Sequence, residues 1–230
     1  QATDATYLKA DALVFDKWRF AGGFRWEDFR QTAVPIDTLQ YSVDRGQCAL
    51  SPCDAEALKK ILFVESDVYP ALAITRIFRD VWAEDFQIRF GASKTVARPD
   101  LREIAASTYI DPLTETRIRG NPSLRTAGIK NLDLRAEWFF ESGDNFTASL
   151  FHNSIENPIE TVQAAGTDDN VALTFINARA CKISGVEVEW LKSLASLRWR
   201  VLEPFFVSGN VTVSNSELTV GDVGFNLTND

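Results

Sequence analysis

Residues 131–140 read Asn131-Leu132-Asp133-Leu134-Arg135-Ala136-Glu137-Trp138-Phe139-Phe140. Leu132, Leu134, Ala136, Trp138 and Phe140 are apolar, and Asn131, Asp133, Arg135 and Glu137 alternate with them. Wound into a helix, those apolar side chains would scatter around the whole circumference; extended, they gather on one face. The segment therefore predicts a strand with one apolar and one charged surface. The stretch Trp18–Trp26 has the same form, with Trp18, Phe20, Gly22, Phe24 and Trp26 on one face and Arg19 and Arg25 on the other. So does Trp82–Ala92, where Phe86, Ile88, Phe90 and Ala92 oppose Asp85, Gln87 and Arg89.

Weaker alternation predicts five further strands, at about Ala5–Phe15, Val68–Phe78, Asn145–Ser154, Ala178–Leu191 and Leu202–Val213. The total is eight strands of roughly ten residues, the length that crosses a bilayer at a tilt. The connections predicted between them alternate in length along the chain. Short ones fall at Asp16-Lys17, Arg79–Val81, Ser142–Asp144 and, somewhat longer, Lys192–Val201. Long ones fall at Gln31–Asp67, Arg98–Lys130 and Ile155–Asn177. An up-and-down barrel with short periplasmic turns and long outer loops produces this rhythm. A soluble sandwich has no reason to send every long loop to one end. Trp18, Phe78, Trp82, Trp138, Phe140, Phe146 and Trp190 also collect at the short-turn end, as an interfacial aromatic girdle would. The expected fold is thus all-β, a segment of an antiparallel up-and-down transmembrane β-barrel.

Composition is compatible with this and closes other routes. No apolar run reaches the length of a transmembrane helix. The 45% hydrophobic content does not separate a soluble β protein from a barrel, whose lipid-facing and lumen-facing residues average out. A net charge of -8 without any basic cluster argues against a nucleic-acid partner. Cys48 and Cys53 lie five apart in a polar stretch, where they suit either a tight loop disulfide in an oxidising compartment or two free thiols. Three cysteines at wide spacing with His152 as the single histidine do not make a zinc site. Ser51-Pro52-Cys53-Asp54 followed by 55–62 reads as a capped short helix on the first long loop.

At residues 97–140 the sequence resembles a known family. The segments Ala97-Arg98-Pro99-Asp100-Leu101-Arg102-Glu103-Ile104, Gly120-Asn121-Pro122-Ser123-Leu124 and Asn131–Trp138 look like the C-terminal half of TonB-dependent receptor barrels. Ile155-Glu156-Asn157-Pro158-Ile159, and Asn177 followed by Gly185–Trp190, fit the next hairpin of that family. The resemblance covers about residues 18–215. It implies a 22-stranded barrel in the outer membrane, closed around an N-terminal plug. Such a receptor imports a scarce ligand, a siderophore, vitamin or oligosaccharide, with energy delivered by the TonB complex through the plug. Residues 1–230 are then expected to be one partial barrel domain. Plug, TonB box, opening strands and terminal aromatic strand would all lie outside it, and it would transport nothing alone. Outer-membrane lipid is an implied partner, and no cofactor is implied. Pro99 and Pro122 suit strand exits, because proline does not fit a central ladder. Arg98, Asp100, Arg102 and Asn121 are candidates for ligand contact or loop bracing.

Enzymatic readings find little support. Glu187 and Glu189, two apart on one strand face, would sit about 7 Å apart, near glycosidase spacing. They read more simply as part of a lumenal charge ladder with Arg89, Asp133, Arg135 and Glu137. His152 comes without a Gly-x-Ser-x-Gly elbow. Asp168-Asp169-Asn170 lacks the further oxygens that calcium takes. Two rival classes remain, a passive porin-like or adhesive barrel without a plug, and a soluble β-sandwich module binding carbohydrate. Arg76, His152 and Lys182 break the apolar phase; either they lie near a membrane interface, where a charge is tolerated, or the sequence is degraded there.

Overall fold

A computed structural model describes residues 1–33, 62–105, 107–113, 115–164, 172–197, 199 and 201–221. The Cys48–Cys53 pair, the helix expected over 55–62 (all but Leu62) and the loop tip at 168–170 lie outside the described residues.

Eight long strands form one sheet. They are β1 (Ala2–Val14), β2 (Trp18–Thr32), β3 (Leu62–Arg79), β4 (Asp85–Ala97), β7 (Ala127–Phe139), β8 (Asn145–Glu156), β11 (Ala180–Ser193) and β12 (Phe206–Thr219). The sheet order β1-β2-β3-β4-β7-β8-β11-β12 follows the chain, and every neighbouring pair is antiparallel. All eight expected strands are present, several longer than the alternation alone suggested.

Register carries the alternation across the whole sheet. Phe20, Ile74, Phe90, Leu134, Leu150, Val186 and Val213 are successive cross-strand partners in one apolar row. One residue along, on the opposite face, runs Arg19, Thr75, Arg89, Arg135, Ser149, Glu187 and Thr212. The apolar face is open to its surroundings: Phe90, Leu134, Leu150 and Val186 are 41–52% exposed. A soluble sheet would bury this face against a second layer. Here the buried apolar cluster of Ile104, Leu124 and Phe175 lies in the loops instead, with Ala33, Ile118 and Ile159 packed around it.

The turns show why the short connections stay short. Phe15 and Asp16 both have positive φ (52° and 54°), and the Lys17 amide donates to the Val14 carbonyl at 3.2 Å. Two left-handed central residues match the right-handed twist of a hairpin. Gly143 takes φ 79° between β7 and β8. Two boundaries differ from expectation. Trp82 falls in the turn, at φ 63°, and β4 begins only at Asp85. Residues 201–204 form a turn before β12.

Part of the aromatic girdle is one connected run of rings. Phe78 meets Phe86 at 5.5 Å between ring centroids, Phe86 meets Trp138 at 4.9 Å, and Trp138 meets Phe146 at 5.4 Å. Trp82 leans on Phe86 from the turn at 5.2 Å. Trp190 lies across the backbone of β12, where a Cβ on Gly209 would stand 2.4 Å from the indole. Only glycine leaves room for that ring.

Arg76 lies at girdle level, paired in register with Trp18. Lys182 stands two residues from the opposite end of β11. His152 Nδ1 shares a 2.7 Å hydrogen bond with the Ser184 hydroxyl on its cross-strand partner. Arg76 and Lys182 thus sit toward strand ends, where a lipid-facing charge costs about 0–1 kcal/mol and not the 2–4 of the midplane.

Two of the long connections fold together. β5 (Thr108–Ile110) and β6 (Arg117–Arg119) from the first join β9 (Ile159–Ala164) and β10 (Ala172–Asn177) from the second, in the order β5-β6-β10-β9. The joint is parallel, Leu173 against Ile118. The alternation pattern predicts only plain connections here. They are one small sheet capping the long-loop end.

Candidate functional site

The cluster that ties barrel wall to loops starts from a proline. Pro70 lies within β3 and lacks a backbone N–H, so it is compatible with a ladder on one side only. The β3–β4 pairing stops at Ala71↔Ser93, while β3 continues beside β2 to Leu62 and β4 continues beside β7 to Ala97. The sheet therefore parts toward the long-loop end.

Charged groups bridge that parting. Lys94 of β4 reaches Asp67 of β3 at 2.5 Å. Arg98, just past β4, donates to Glu27 at 2.8 Å and to the Tyr69 hydroxyl at 3.0 Å, and its Nε lies 3.8 Å from Glu65. The Arg98 guanidinium stacks 4.4 Å from the centre of the buried Phe29 ring. Glu65 in turn accepts from the Thr126 hydroxyl just before β7. The Gln31 side chain donates to the Pro99 carbonyl at 3.3 Å. Arg98 is thus held by two carboxylates, a phenol and a ring, with its side chain 18% exposed. The planar guanidinium suits this combination of fork-like donation and stacking, which a lysine would not reproduce.

The four residues singled out from sequence separate into distinct roles. Asp100 caps the single helical turn Leu101–Ile104: its carboxylate accepts from the Leu101 amide at 2.6 Å, and its own amide donates to the Glu103 carboxylate at 2.8 Å. Asn121 links the two loops, donating to the Phe175 carbonyl at 2.8 Å and accepting from the Ser123 amide at 2.9 Å. Asn177 mirrors it, accepting from the Arg125 amide at 2.7 Å and donating to the Arg125 and Asn157 carbonyls at 2.8 Å. Arg102 projects outward, 76% exposed, held only loosely by Asp100 at 3.7 Å. The structure brings Arg98 and Asp100 to the same rim and sets Asn121 inside the loop sheet. Glu27, Glu65, Asp67, Tyr69 and Lys94 were not anticipated. A proline inside a predicted strand, with acidic residues at one height on β2 and β3, was the available signal.

Below the rim, the charged face forms the expected ladder. Arg89 meets Glu137 at 3.3 Å, and Arg135 joins Glu137 at 3.0 Å and Glu189 at 3.1 Å. Glu187 accepts from Thr212 at 3.3 Å, so Glu187 and Glu189 are engaged as ladder members. Beside the ladder, Ala21, Gly23, Ala71, Ala73, Gly91 and Ser93 floor a concavity of about 460 Å³ walled by Tyr7, Lys9, Arg25, Tyr69 and Asp133. A Cβ on Gly23 would stand 2.2 Å from the Leu8 carbonyl oxygen, which is what lets β1 close on β2 here. Among the described residues no group of three or more His, Cys, Asp and Glu side chains is arranged to hold a metal.

An eight-stranded meander with an open apolar face, a charged face and one capped end is the geometry of a piece of barrel wall. Residues 2–229 match the family described as TonB dependent receptor-like, beta-barrel. The chain belongs to the TonB-dependent receptor family. The family consists of outer-membrane β-barrel transporters and not enzymes. Among solved structures, the chain resembles the siderophore receptor PirA from Pseudomonas aeruginosa, with a TM-score of 0.63 at 15% identity. That match covers 94% of this chain and 34% of the receptor. It also resembles a double mutant of the Serratia marcescens hemophore receptor HasR, in complex with its hemophore HasA and heme. There the TM-score is 0.50 at 13% identity, over 82% of this chain and 33% of that one. No curated protein sequence matches. This TonB-dependent receptor chain therefore spans about a third of the length of the solved receptors it resembles.

Proposed function

We propose that residues 1–230 form part of the barrel wall of an outer-membrane active transporter, and that the receptor containing them takes up a scarce small ligand. The observation that carries this reading is the family match over residues 2–229, on a sheet whose two faces suit lipid and an aqueous lumen. The relatives in structure are by name a siderophore receptor and a hemophore receptor, which favours a ferric siderophore or heme over a vitamin or an oligosaccharide. The charged face lines the passage, and the concavity over Gly23, Ala71 and Gly91 offers small residues against which a plug domain seats. The TonB complex acts through that plug. Among the four candidate residues, Arg102 is the ligand contact, because it alone presents an exposed and weakly engaged charge at the capped end. Arg98, Asp100 and Asn121 brace the loops.

Uptake measurement tests the reading. Cells lacking the receptor gene are compared with cells lacking TonB for accumulation of labelled ferric siderophores, heme, cobalamin and oligosaccharides. Loss of the same ligand's uptake in both strains is the expected result. Uptake that depends on the receptor and not on TonB would replace this reading with a passive porin. A product recovered only in the soluble fraction would remove the barrel.

A further inference from the structure

Arg76 is a cation on the lipid face, and nothing in the transport reading uses it. Its cross-strand partners on that face are Trp18 and Ile88. The guanidinium carbon stands 4.8 Å from the Trp18 ring centre and 5.2 Å from that of Phe78, which lies two residues nearer the short-turn end. The head is therefore drawn along the strand toward the interface, as long basic side chains are when their stem lies in hydrocarbon. Two ring contacts fix the plane of the guanidinium and supply no anion. Among the described residues Arg76 has no carboxylate partner, and Asp16 and Asp80 in the adjoining turns form no ion pair with it. Lys17 flanks the same spot: its carbonyl accepts from the Ile77 amide at 2.8 Å, which fastens the β1–β2 turn beside Arg76. We infer that Arg76, stacked on Trp18 and Phe78 and flanked by Lys17, binds the phosphate of a glycerophospholipid headgroup in the periplasmic leaflet. An oriented guanidinium presents parallel N–H donors that match phosphate oxygens, and the girdle sets them at headgroup depth.

The inference rests on the membrane reading, and the test separates the two. The full receptor containing this chain, in mild detergent, is titrated with phosphatidylglycerol, with dioleoylglycerol and with inorganic phosphate, and bound lipid is counted by native mass spectrometry. A band shift between heated and unheated samples on a gel reports barrel assembly independently. The expected result is retention of phosphatidylglycerol at least about threefold higher in the wild type than in Arg76→Gln. Lys17→Gln and Arg76→Lys should fall between, and dioleoylglycerol should be unaffected by any of the changes. Lys17 is exposed in a turn, so Lys17→Gln together with Arg76→Lys decides the matter if Arg76→Gln does not assemble. Equal phosphatidylglycerol retention across the assembled variants would overturn the site. Arg76-dependent binding of inorganic phosphate that displaces the lipid would assign it to free phosphate instead.

Discussion

Arg98 shows how one side chain can hold a junction between barrel wall and loops. Truncating it leaves Glu27 on β2 and Glu65 on β3, both on the β3 side of the parting, with their shared cation gone and Phe29 uncovered. Removing one member of a buried pair is costly because the partner remains desolvated. Since Arg98 keeps some exposure, Arg98→Ala should destabilise the junction by about 2 kcal/mol. The check is the midpoint of urea unfolding of the whole receptor, and Arg98→Lys should recover less than half of the loss. Arg102→Ala should behave oppositely, leaving the midpoint unchanged and weakening ligand binding several-fold in an equilibrium assay. If Arg102→Ala binds normally, its assignment as the contact is wrong. The sequence singled out both arginines and could not tell them apart, because Arg-Pro-Asp-Leu-Arg fixes only local spacing. The partners that make Arg98 a brace, Glu27 and Glu65, lie 71 and 33 positions away. Only the register of β2 against β3 brings them together.

At the level of elements, the two long connections behave as one unit, because the parallel β6–β10 joint and the Ile104–Leu124–Phe175 cluster cross between them. Phe175→Ala empties the centre of that small core, and the change should be felt in the other loop. Trypsin cleavage at Arg117 and Arg119 should rise at least about tenfold, the population change expected when a few kcal/mol of local core are lost. Cleavage unchanged at those sites would mean that the loops move independently. A second tie lies at the other end. The Asp144 carboxylate, in the β7–β8 turn, accepts from Lys192 and from the Ser193 amide at 2.7 Å, joining that turn to the end of β11. Lys192 first, then Ser142 and the Ser193 amide, hold its carboxyl down at about 2. A depressed folded value means the contribution is present above the unfolded value of 3.8 and is lost as pH falls through about 2. Thermal scans should therefore separate wild type from Asp144→Asn at pH 7, with the gap narrowing below about pH 4 and closing near pH 2. A gap that persists at pH 2 would rule the ionised carboxylate out as its source. The long strands were legible because two different solvents write alternate residues, as at Leu132–Phe140. The loop strands were not, because three residues such as Thr108–Ile110 carry no period.

For the whole molecule, the consequential fact is that among the described residues no protein layer lies over the apolar face of the sheet, while its opposite face carries paired charges. Among the described residues the sheet presents that face and two strand edges without a partner, β1 and β12, so purified residues 1–230 should aggregate in the absence of detergent. That outcome is shared by many misfolded proteins and discriminates poorly, whereas a depth profile discriminates well. In the full receptor, lipid-facing arginine costs about 2–4 kcal/mol at the bilayer midplane and falls to about 0–1 near an interface. Phe90, Leu134 and Leu150 share one register row, five residues from the short-turn end of β7 in the case of Leu134. Phe86, Trp138 and Phe146 share another, at the girdle. Substituting arginine singly at Leu134 and Leu150 should therefore lower refolding stability in lipid vesicles by similar, large amounts. Phe146→Arg should cost far less, even though Phe146 is the larger side chain. A protein core would give the reverse order, since cost there follows the volume removed and the burial of the charge, and Phe146 and Leu134 are similarly exposed, at 39% and 45%. Penalties in that reverse order would thus show that the face is covered by protein and not by lipid.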